Sequence, residues 1–396
     1  MKVLVINAGS SSLKYQLLDM PAGELVAKGL CERIGIDGKY KYEAKGQKLT
    51  GETPMANHSD AIRFLVSMLL DKEHGVITDM KEIEAVGHRV VSGGEKLYES
   101  VLITAESKKA IEECIPLAPL HNPANLTGIE ACEEVMPGVP QVAVFDTAFH
   151  AKMPKAAYTY AIPYEYYTKY GIRRYGFHGT SHRYVSEQCA KAMGKDIKDL
   201  RIITCHLGNG SSISAVDHGV SVDTTMGLTP LEGLPMGTRS GNIDPAIVET
   251  ICENEGLSVK EVLNILNKKS GVLGVSGVSS DFRDIAAAAK EGNERAALAN
   301  EMFVYSVKKF IGAYAAAMGG VDAIVFTAGV GENDKGFRLQ MTEGLEFMGV
   351  KVDAEKNDVR GKFAEITAEG ATVRTFVIPT NEELVIAMDT EAIASK

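Results

Sequence analysis

The chain has 396 residues, an apolar fraction of 45% and a formal net charge of −10. This length predicts two domains, each large enough to bury a core. The acidic charge argues against a general binder of nucleic acids or anionic membranes, so an anionic substrate would need positive charge concentrated locally. The six cysteines are scattered without a CxxC pair, which predicts free thiols in a reducing, cytoplasmic compartment. We expect no signal peptide, since the chain enters a strand at once, and no apolar run approaches the ~20 residues that span a bilayer.

The N-terminal half alternates predicted strands and helices, as α/β folds do. It begins with a strand–loop–strand unit over 2–17, KVLVINAGSSSLKYQL, whose loop is rich in glycine and serine. Ser59 or Asp60 is the expected cap of the first helix. The other elements predicted in this half are an exposed hairpin or insertion over 35–52, a helix over 59–70, buried strands over 84–91 and 141–145, and a helix over 122–135.

The strand–loop–strand pattern occurs a second time, about half a chain later. Residues 201–216, RIITCHLGNGSSISAV, contain the same Gly-Ser-Ser sequence before the second strand. The residues alone leave two interpretations of this loop open: a type I′ hairpin turn at Asn-Gly, or a phosphate-binding loop whose backbone amides face an anion. The repetition predicts a fold of two similar halves, each presenting one such hairpin to a shared cleft.

The rest of the C-terminal half mixes helices with long loops. The run over 226–245 has too many glycines and prolines for regular structure, and ordered loops of this length tend to carry function. The other predicted elements are a helix capped by Ser181 and ending near Gly194, helices over 246–254, 258–267 and 293–318, strands over 322–327 and 372–379, a loop over 328–333 (AGVGEN), and a last helix opened by a capping box of Thr380 and Glu383.

Several side chains could carry chemistry. Arg89 and Arg239 lie beside glycines, where an arginine can present a fork to a carboxylate or phosphate, although any single arginine is more often solvated. Asp146 follows a buried strand, which suits either a ligand site or a turn. His178 and His182 are spaced like a metal pair but lack the HExxH pattern, so we expect His178 to donate to a charged ligand and His182 to be structural.

One absent motif excludes a class of nucleotide-binding protein, and the roles of two further sites stay open. The sequence contains no GxxxxGK[ST], which excludes a P-loop nucleotide-binding protein. Lys14 follows the first serine loop and points either at phosphates or at solvent. Glu383 would act in the capping box, which leaves Glu382 without an assigned role.

Taken together, these stretches resemble the acetokinase family from residue 2 to about residue 387. The motifs that carry the resemblance are VLVINAGSSSLKY, GHRVVSGGE, APLHNP, VFDTAFH, YGFHGTSH, TCHLGNGSS, TPLEGLPMGTRSG, SGVLGVSGVSSDFRD, FTAGVGEN and VIPTNEE. One departure is Ser92, where the family pattern leads us to expect histidine.

The resemblance implies a fold, a reaction and an assembly. The fold would be α/β, with two actin-like (ribonuclease H-like) domains related by duplication, 1–148 with 380–396 and 149–379, around a central cleft. The reaction would be reversible, Mg²⁺-dependent, direct in-line transfer of a phosphoryl group from ATP to acetate, giving ADP and acetyl phosphate, with Mn²⁺ as an alternative metal. The protein would be a cytoplasmic homodimer with no nucleic-acid or membrane partner.

The resemblance also implies residue roles. Because a carboxylate is already ionised at neutral pH, Asp146 need not deprotonate the acceptor, and we expect it to orient an arginine or help position the metal. The implied roles are catalysis for Asp146, His178 and Arg239; acyl binding for Arg89, Val91, Leu120, Phe177 and Pro230; metal binding for Asn7 and Glu382; and ATP binding for Ser10, Ser12, Lys14, His206, Leu207, Gly208, Asn209, Gly210, Asp281, Phe282, Arg283, Gly329, Val330, Gly331, Glu332 and Asn333.

Three alternatives remain at this stage. Propionate or butyrate could replace acetate, because one methylene changes binding in an apolar pocket by only ~1–3 kcal/mol. A chaperone or filament-forming ATPase on the same fold would need a peptide-binding module or an assembly surface, and no leftover segment is long enough for a module. A nucleotide-binding regulator without catalytic activity is the third.

Overall fold

The computed structural model describes every residue from Met1 to Lys396, and the predicted α/β class is confirmed. The strands are β1 (Lys2–Ala8), β2 (Ser12–Asp19), β3 (Glu24–Glu32), β4 (Lys39–Ala44), β5 (Gln47–Glu52), β6 (Ala85–Val90), β7 (Val101–Leu102), β8 (Gln141–Phe145), β9 (Arg201–Leu207), β10 (Ser211–Asp217), β11 (Val220–Thr224), β12 (Ala323–Thr327), β13 (Ala364–Glu365) and β14 (Arg374–Val377).

The helices lie between groups of these strands and after the last one. They are α1 (His58–Leu69), α2 (Ala105–Glu113), α3 (Asn122–Val135), α4 (Lys155–Tyr158), α5 (Glu165–Tyr170), α6 (Gly179–Met193), α7 (Ala246–Glu255), α8 (Val259–Lys268), α9 (Gly271–Ser276), α10 (Phe282–Lys290), α11 (Glu294–Met318), α12 (Ala328–Asn333), α13 (Lys335–Thr342) and α14 (Glu382–Ala394). None of them is long and apolar enough to cross a membrane.

The chain divides into two compact units, each with its own sheet. Unit 1 comprises Met1–Phe149 and Asn381–Lys396, and unit 2 comprises His150–Thr380. All six cysteines are free thiols, and five of them are buried.

Unit 1 is an eight-stranded mixed sheet in the order β5-β4-β3-β2-β1-β6-β8-β7. Successive side chains of a strand point to opposite faces, so the continuous apolar run of β1 supplies both faces of the sheet. Leu4 and Ile6 pack in the core that α1 and α3 cover, whereas Val3 and Val5 pack with Ile386 of α14 on the other face. The sheet is therefore buried on both sides around β1, as is typical of strands with parallel neighbours.

Unit 2 is a six-stranded mixed sheet in the order β11-β10-β9-β12-β14-β13. The long helix α11 covers one face of it, and Phe303, Val307 and Ile311 of that helix share a core with Ile203 of β9 and Phe326 of β12. The helix begins after its Asn293 cap and ends at a left-handed glycine, as its sequence predicts.

The two sheets share an arrangement of four central strands. In unit 1 the order is β2-β1-β6-β8, and in unit 2 it is β10-β9-β12-β14. In each, an antiparallel hairpin is followed by two strands parallel to its first strand. This agreement supports the duplication that the repeated serine loops predict.

Two predicted helix caps are wrong: Asn57 caps α1 in place of Ser59 or Asp60, and α6 begins before Ser181 without a side-chain cap. Asn57 caps α1 by accepting a hydrogen bond of 2.9 Å from the backbone N–H of Asp60, while the Ser59 hydroxyl donates to Glu134. Ser181 lies inside the first turn of α6, which begins three residues earlier than predicted, and its hydroxyl bonds the ring of His206.

Buried neutral histidines make the stability of the fold sensitive to acid. Burial lowers the pKa of His88 in β6 to about 4, although Gln141 bonds its ring at 2.5 Å. The unfolded chain takes up a proton near pH 6.5 but the folded chain does not, so the free energy of unfolding falls as pH drops from about 6.5 towards 4, by up to about 1.4 kcal/mol per pH unit for this residue.

We expect urea unfolding, followed by circular dichroism because the chain has no tryptophan, to show this loss of stability on acidification. The variant His88→Gln removes the titrating group and keeps a hydrogen-bonding side chain beside Gln141. Its pH slope should be smaller than that of the parent by about one proton. Identical slopes for the two proteins would contradict the assignment.

Candidate active site

The predicted site residues fall into two groups, one in each unit. In unit 1 they gather where β1, β6 and β8 end, because the carboxyl ends of parallel strands meet at the same edge of a sheet. Lys14 joins them because it lies opposite Asn7 in the β1–β2 hairpin. These residues line a cavity of about 130 Å³, which we call the unit 1 pocket; its lining is Val5, Asn7, Lys14, Tyr15, Arg89, Glu382, Glu383 and Ile386.

Arg89 and Asp146 form a bidentate ion pair. The Nε of Arg89 lies 3.0 Å and its Nη2 2.7 Å from the carboxylate oxygens of Asp146. Asp146 is 1% exposed, whereas the Arg89 side chain keeps 25% of its surface accessible. The Asp146 carboxylate raises the pKa of Arg89 above its ordinary value, with smaller contributions from Glu382 and Glu383, so the guanidinium stays charged. The pair fixes the planar fork of Arg89 while part of it remains accessible to a ligand.

Lys14 has a partner within the unit 1 pocket. Its ammonium forms an ion pair with Glu383, although half of the side chain is exposed. The predicted capping box is therefore wrong: Asn381 caps α14 by accepting from the backbone N–H of Leu384, which leaves Glu383 available to bind Lys14. The N-terminus of α14 thus brings two carboxylates to the end of the β1–β2 hairpin.

The unit 1 pocket offers ligands that suit a hard divalent cation. The half-buried amide of Asn7 makes no hydrogen bond within the protein, so its oxygen is available to a cation. Glu382 supplies a carboxylate on the same wall. Magnesium is commonly held by one or two carboxylates, with substrate phosphates and water completing its shell. Asn7 and Glu382 therefore fit the role predicted for them.

We expect Glu382→Gln to raise the Mg²⁺ concentration that gives half-maximal activity. The change removes a negative charge but keeps the shape of the side chain, and altering groups around bound metals typically costs 10–100-fold in affinity or activity, so a shift of roughly that size is expected. The measurement is initial rate against Mg²⁺ concentration at fixed ATP. Glu391→Gln, on the last turns of the same helix, is the control. Equal metal dependence in Glu382→Gln and its parent would contradict the assignment.

The first serine loop connects β1 to β2 in unit 1. The N–H of Gly9 donates to the carbonyl of Ser12 at 2.8 Å, and the ring of His58 bonds the Gly9 carbonyl at 2.7 Å. A side chain at Gly9 would collide with the Ser12 hydroxyl, since a Cβ there would lie 2.8 Å from its oxygen. Ser10 is exposed and Ser12 is half-buried. The loop is therefore held rigidly at its base, with the Ser10 side chain facing outwards.

The residues predicted to line the acyl pocket differ in burial. Val91 in unit 1 and Phe177 in unit 2 are buried, and Pro230 in unit 2 is half-buried. Leu120 is 68% exposed on unit 1, so it packs little against its own unit.

The second serine loop is a three-residue connection in unit 2. Leu207 pairs with Ser211, so Gly208, Asn209 and Gly210 form the turn, and the two-residue type I′ interpretation is wrong. The turn packs against a second loop: the N–H of Gly237 donates to the carbonyl of Asn209 at 2.9 Å. A Cβ at Gly237 would lie 1.7 Å from the Asn209 side chain, so only glycine fits there.

A cavity of about 730 Å³ opens beside this turn in unit 2. We call it the nucleotide pocket, because it joins parts of all three runs predicted to bind ATP. Those parts are Gly208, Asn209, Asp281, Phe282, Arg283, Gly329, Val330 and Asn333, and the remaining lining residues, which sequence reasoning missed, are Ser280, Asp334 and Arg360. Ser280 and Asp334 adjoin predicted residues, whereas nothing in the sequence around Arg360 signals a site.

The other residues of those three runs lie next to the residues that line the nucleotide pocket but do not line it themselves. His206, Leu207 and Gly331 are buried, and Gly210 completes the turn. Glu332 accepts hydrogen bonds from the N–H groups of Ala328 and Thr380 at 2.8 and 3.0 Å. The AGVGEN segment is the short helix α12 and not the predicted loop, because the Glu332 carboxylate satisfies an amide at its start.

Arg239 and His178 converge on the second serine loop. A Cβ built at Gly210 would lie 3.5 Å from Nη1 of Arg239 and 3.6 Å from Nε2 of His178. The Arg239 guanidinium contacts only the Pro230 carbonyl at 3.4 Å and the Met236 sulfur at 3.8 Å. It has no carboxylate partner, and burial lowers its pKa from the ordinary value. A half-buried cation without a counter-charge is suited to bind an anion.

Glu232, an acidic residue of the loop that carries Arg239, is engaged elsewhere. Its carboxylate accepts from Arg174 at 2.8 Å and from the hydroxyl of Tyr160. Arg174 also donates to the carbonyl of Thr224 at 3.0 Å, so the cluster ties the loop that carries Arg239 to the end of β11. Glu232 is therefore held by Arg174 and Tyr160 and does not pair with Arg239.

His178 is fixed by its backbone and by two side chains. It precedes α6 with φ of 55°, a left-handed conformation that turns the chain sharply into the helix. Its Nδ1 lies 2.9 Å from the Ser212 hydroxyl, and its ring stacks on His206 at 4.1 Å between centroids. The ring is therefore oriented with Nε2 on the Gly210 side.

Known proteins resemble this chain along its whole length. The family model described as the acetokinase family matches residues 2–388. The acetate kinase of Caldanaerobacter subterraneus subsp. tengcongensis is 62% identical over 396 residues, covering 99% of each chain. The crystal structure of Porphyromonas gingivalis acetate kinase superposes with a TM-score of 0.96 at 52% identity, covering 99% of each chain. A propionate kinase from Francisella tularensis superposes with a TM-score of 0.93 at 44% identity, again covering 99% of each.

These similarities agree with the two mixed sheets and with the motifs that line the pockets of each unit. They confirm the actin-like α/β fold class and the resemblance read from the sequence. On this basis the chain belongs to the acetokinase family, whose members are kinases that phosphorylate a carboxylate acceptor.

Proposed function

We propose that this protein catalyses the reversible transfer of the γ-phosphoryl group of ATP to acetate, giving acetyl phosphate and ADP. The observation that carries the proposal is the environment of the Arg239 guanidinium. In a protein with a net charge of −10, this guanidinium is half-buried without an acidic partner and lies beside His178 at a glycine–serine loop. Such a group is suited to the charge that develops on a transferring phosphoryl group.

The main barrier in this reaction is the repulsion between two anions. Acetate is ionised at neutral pH and needs no general base. Arg89, whose fork Asp146 holds in place, would bind the carboxylate or the acyl phosphate. Arg239 and the Nε2 of His178 would bind oxygens of the phosphoryl group as it passes directly, in line, from the leaving to the attacking oxygen.

The nucleotide would occupy the nucleotide pocket of unit 2. Gly208 and Asn209 would lie against its phosphates, since glycine permits close approach of a ligand to the backbone. The segments Asp281–Arg283 and Gly329–Asn333 would bind the nucleoside. His206, Leu207, Gly210, Gly331 and Glu332 would support these walls. In unit 1, the predicted roles of Ser10, Ser12 and Lys14 near the phosphates remain proposals.

The family uses ATP and a divalent metal, and we propose Mg²⁺ as that metal, with Mn²⁺ as a substitute. Asn7 and Glu382 would hold it, directly or through water. When bound, it would offset the charge of the nucleotide phosphates. The methyl group of acetate would contact Val91, Leu120, Phe177 and Pro230.

The test is a hydroxamate assay for acyl phosphate with ATP, Mg²⁺ and acetate. We expect acyl phosphate to form only when the acid, ATP and metal are all present. ATP turnover that does not depend on a carboxylic acid would overturn the proposal in favour of a chaperone-like or filament-forming ATPase. ATP binding without any turnover would favour a regulator.

Propionate is the second candidate acceptor, because a protein titled as a propionate kinase superposes closely on this chain. The same assay with acetate, propionate and butyrate separates the two. We expect the highest kcat/KM for acetate. Because one methylene is worth ~1–3 kcal/mol in an apolar pocket, the preferred acid should exceed its neighbour by roughly 10–200-fold.

The organisation of the protein is part of the same proposal. We infer domains of 1–148 with 380–396 and of 149–379, which the two compact units support. A homodimer in the cytoplasm remains the assembly and location that we propose. Free, largely buried thiols are consistent with a reducing compartment.

A further inference from the structure

Unit 2 contains more buried histidines than the proposed reaction uses. His150, His182 and His206 are all at most 7% exposed, and they surround His178 or one another at ring distances of 4.1 to 6.5 Å. His150 is satisfied locally, by the Ser221 hydroxyl at 2.6 Å and the Phe177 carbonyl at 2.8 Å. His182 differs, because a hydrogen-bonded chain links it to His178.

This hydrogen-bonded chain links four side chains, which β9, β10 and α6 with its N-cap supply. Thr204 Oγ1 of β9 lies 2.7 Å from Nδ1 of His182 in α6. Nε2 of His182 lies 2.7 Å from Oγ of Ser212 in β10, and that oxygen lies 2.9 Å from Nδ1 of His178. Thr204, His182 and Ser212 are completely buried, so each of these groups depends on the others for its hydrogen bonds.

The number of protons in this hydrogen-bonded chain restricts the tautomers of His178 and His182. The Ser212 hydroxyl has one proton but faces two ring nitrogens, so at least one of those nitrogens must donate to it. If Ser212 donates to His178, then Nδ1 of His178 is an acceptor and a neutral ring carries its proton on Nε2. His182 then donates from Nε2 to Ser212 and accepts from Thr204 at Nδ1. If the direction reverses, a neutral His178 has a bare Nε2, whose lone pair would repel an anion.

We propose that Thr204, His182 and Ser212 act as positioning residues that keep the proton of a neutral His178 on Nε2, facing the phosphoryl group beside Arg239. The proposal deepens the proposed function and rests on it. His178 then stabilises the transferring group as a hydrogen-bond donor that needs no charge of its own.

The surroundings of His182 keep its imidazole ring neutral. Burial, together with the nearby rings of His150 and His206, lowers the pKa of His182 well below its ordinary value. The titratable or charged groups around His178 include the stacked ring of His206, His182 through Ser212, and Arg239 at Gly210. Because His182 stays neutral, its Nδ1 can accept from the Thr204 hydroxyl, which is the direction that the proposal requires.

The first arm of the test is kinetic. We expect Ser212→Ala and His182→Leu to lower kcat by about 10–100-fold, less than the ~10²–10³-fold loss on deleting a transition-state donor, with KM for ATP and acetate within about threefold. His182→Gln keeps an amide donor near the Nε2 position and should recover most of the loss. Ser186→Ala is the matched control, because this buried serine of α6 bonds only the Arg183 carbonyl.

The second arm reads the tautomer directly in the full-length protein. Long-range ¹H–¹⁵N correlation spectra of protein labelled at histidine should show His178, assigned through His178→Asn, as the Nε2–H form in the parent. The Ser212→Ala variant should lose that preference. Finding the Nδ1–H form in the parent, or equal kcat for Ser212→Ala and Ser186→Ala, would overturn the proposal. If the parent makes no acyl phosphate, the proposed function fails, but the spectra still decide whether the chain sets the tautomer.

Discussion

Replacing Arg239 by alanine should lower kcat by about 10³–10⁵-fold while leaving nucleotide affinity nearly unchanged. An arginine that stabilises the charge on a transferring phosphoryl group has effects of this size. The guanidinium lies beside the second serine loop but is not among the residues that line the nucleotide pocket, so ground-state binding of ATP should not depend on it.

The fold should tolerate this substitution. Arg239 has no carboxylate partner, so its removal leaves no buried acid without a counter-charge. Loss of activity therefore reports on chemistry and not on unfolding. Arg239→Lys should recover only part of the loss, because an ammonium is a point charge and lacks the planar fork.

The measurements are kcat from the hydroxamate assay, ADP affinity from calorimetry and the melting temperature. Arg63→Ala is the control, since Arg63 pairs on the surface of α1 with Asp60 and Glu134. A kcat for Arg239→Ala within tenfold of the parent would remove Arg239 from the proposed site. Equal losses of activity and ADP affinity would point to a role in nucleotide binding.

Local patterns were sufficient to predict most of the secondary structure. The strand over Gln141–Phe145 and the helix over Asn122–Val135 have the predicted bounds, because an unbroken apolar run and a Pro-started helix are signals that neighbouring residues carry themselves. The two serine hairpins could be predicted for the same reason. Their duplication became visible because the loop between the strands is short enough to be compared directly.

Competition between nearby polar groups could not be predicted. Thr380 and Asn381 are both good caps, and the structure selects Asn381, which allows Glu383 to bind Lys14. Lys14 lies 369 residues from Glu383 in sequence, so a local pattern could not show this pairing. Thr380 donates instead to Ser181, another residue whose predicted capping role was wrong.

The candidate site could be predicted as a set of residues but not as a set of contacts. Glu232 and Arg239 occur in the same loop, yet Glu232 pairs with Arg174 and Arg239 remains without a carboxylate. The lining residue Arg360 gave no signal, since it comes from a polar surface segment that only the fold brings to the nucleotide pocket. The role of His182 depends on which tautomer its neighbours permit, and no sequence pattern encodes that.

The pairing of Arg89 with Asp146 follows from register. Val90 of β6 lies opposite Phe145 of β8 in a parallel pair, so the residues at the ends of these strands are brought side by side across 57 positions of sequence. The expected role of Asp146 was to orient an arginine or help position the metal, and the sheet places Arg89 as the arginine beside it.

Asp146→Asn should lower kcat/KM for acetate by about 10²-fold or more. The variant keeps the shape of the side chain but loses its charge, and an amide nitrogen now faces a guanidinium that can only donate. Arg89 then lacks the partner that fixes its fork, and displacement of a binding group by about 1 Å can cost 10²-fold. Unlike the change at Arg239, this one also leaves a largely buried charge without its counter-ion, so a loss of roughly 3 kcal/mol in the free energy of unfolding is expected.

The acetate dependence and the Mg²⁺ dependence of the rate distinguish the two possible roles of Asp146. If it positions Arg89, the loss appears in the acetate dependence and Asp146→Glu, which retains the charge, recovers part of it. If it positions the metal, the Mg²⁺ dependence shifts instead. Glu113→Gln, which breaks an exposed pair with Lys96 of 2.6 Å in the same unit, should change neither activity nor stability by a measurable amount, because exposed pairs contribute little. Near-parental turnover in Asp146→Asn would show that a bidentate, buried ion pair at the strand ends is structural, and Arg89 would have to be oriented by the ligand itself.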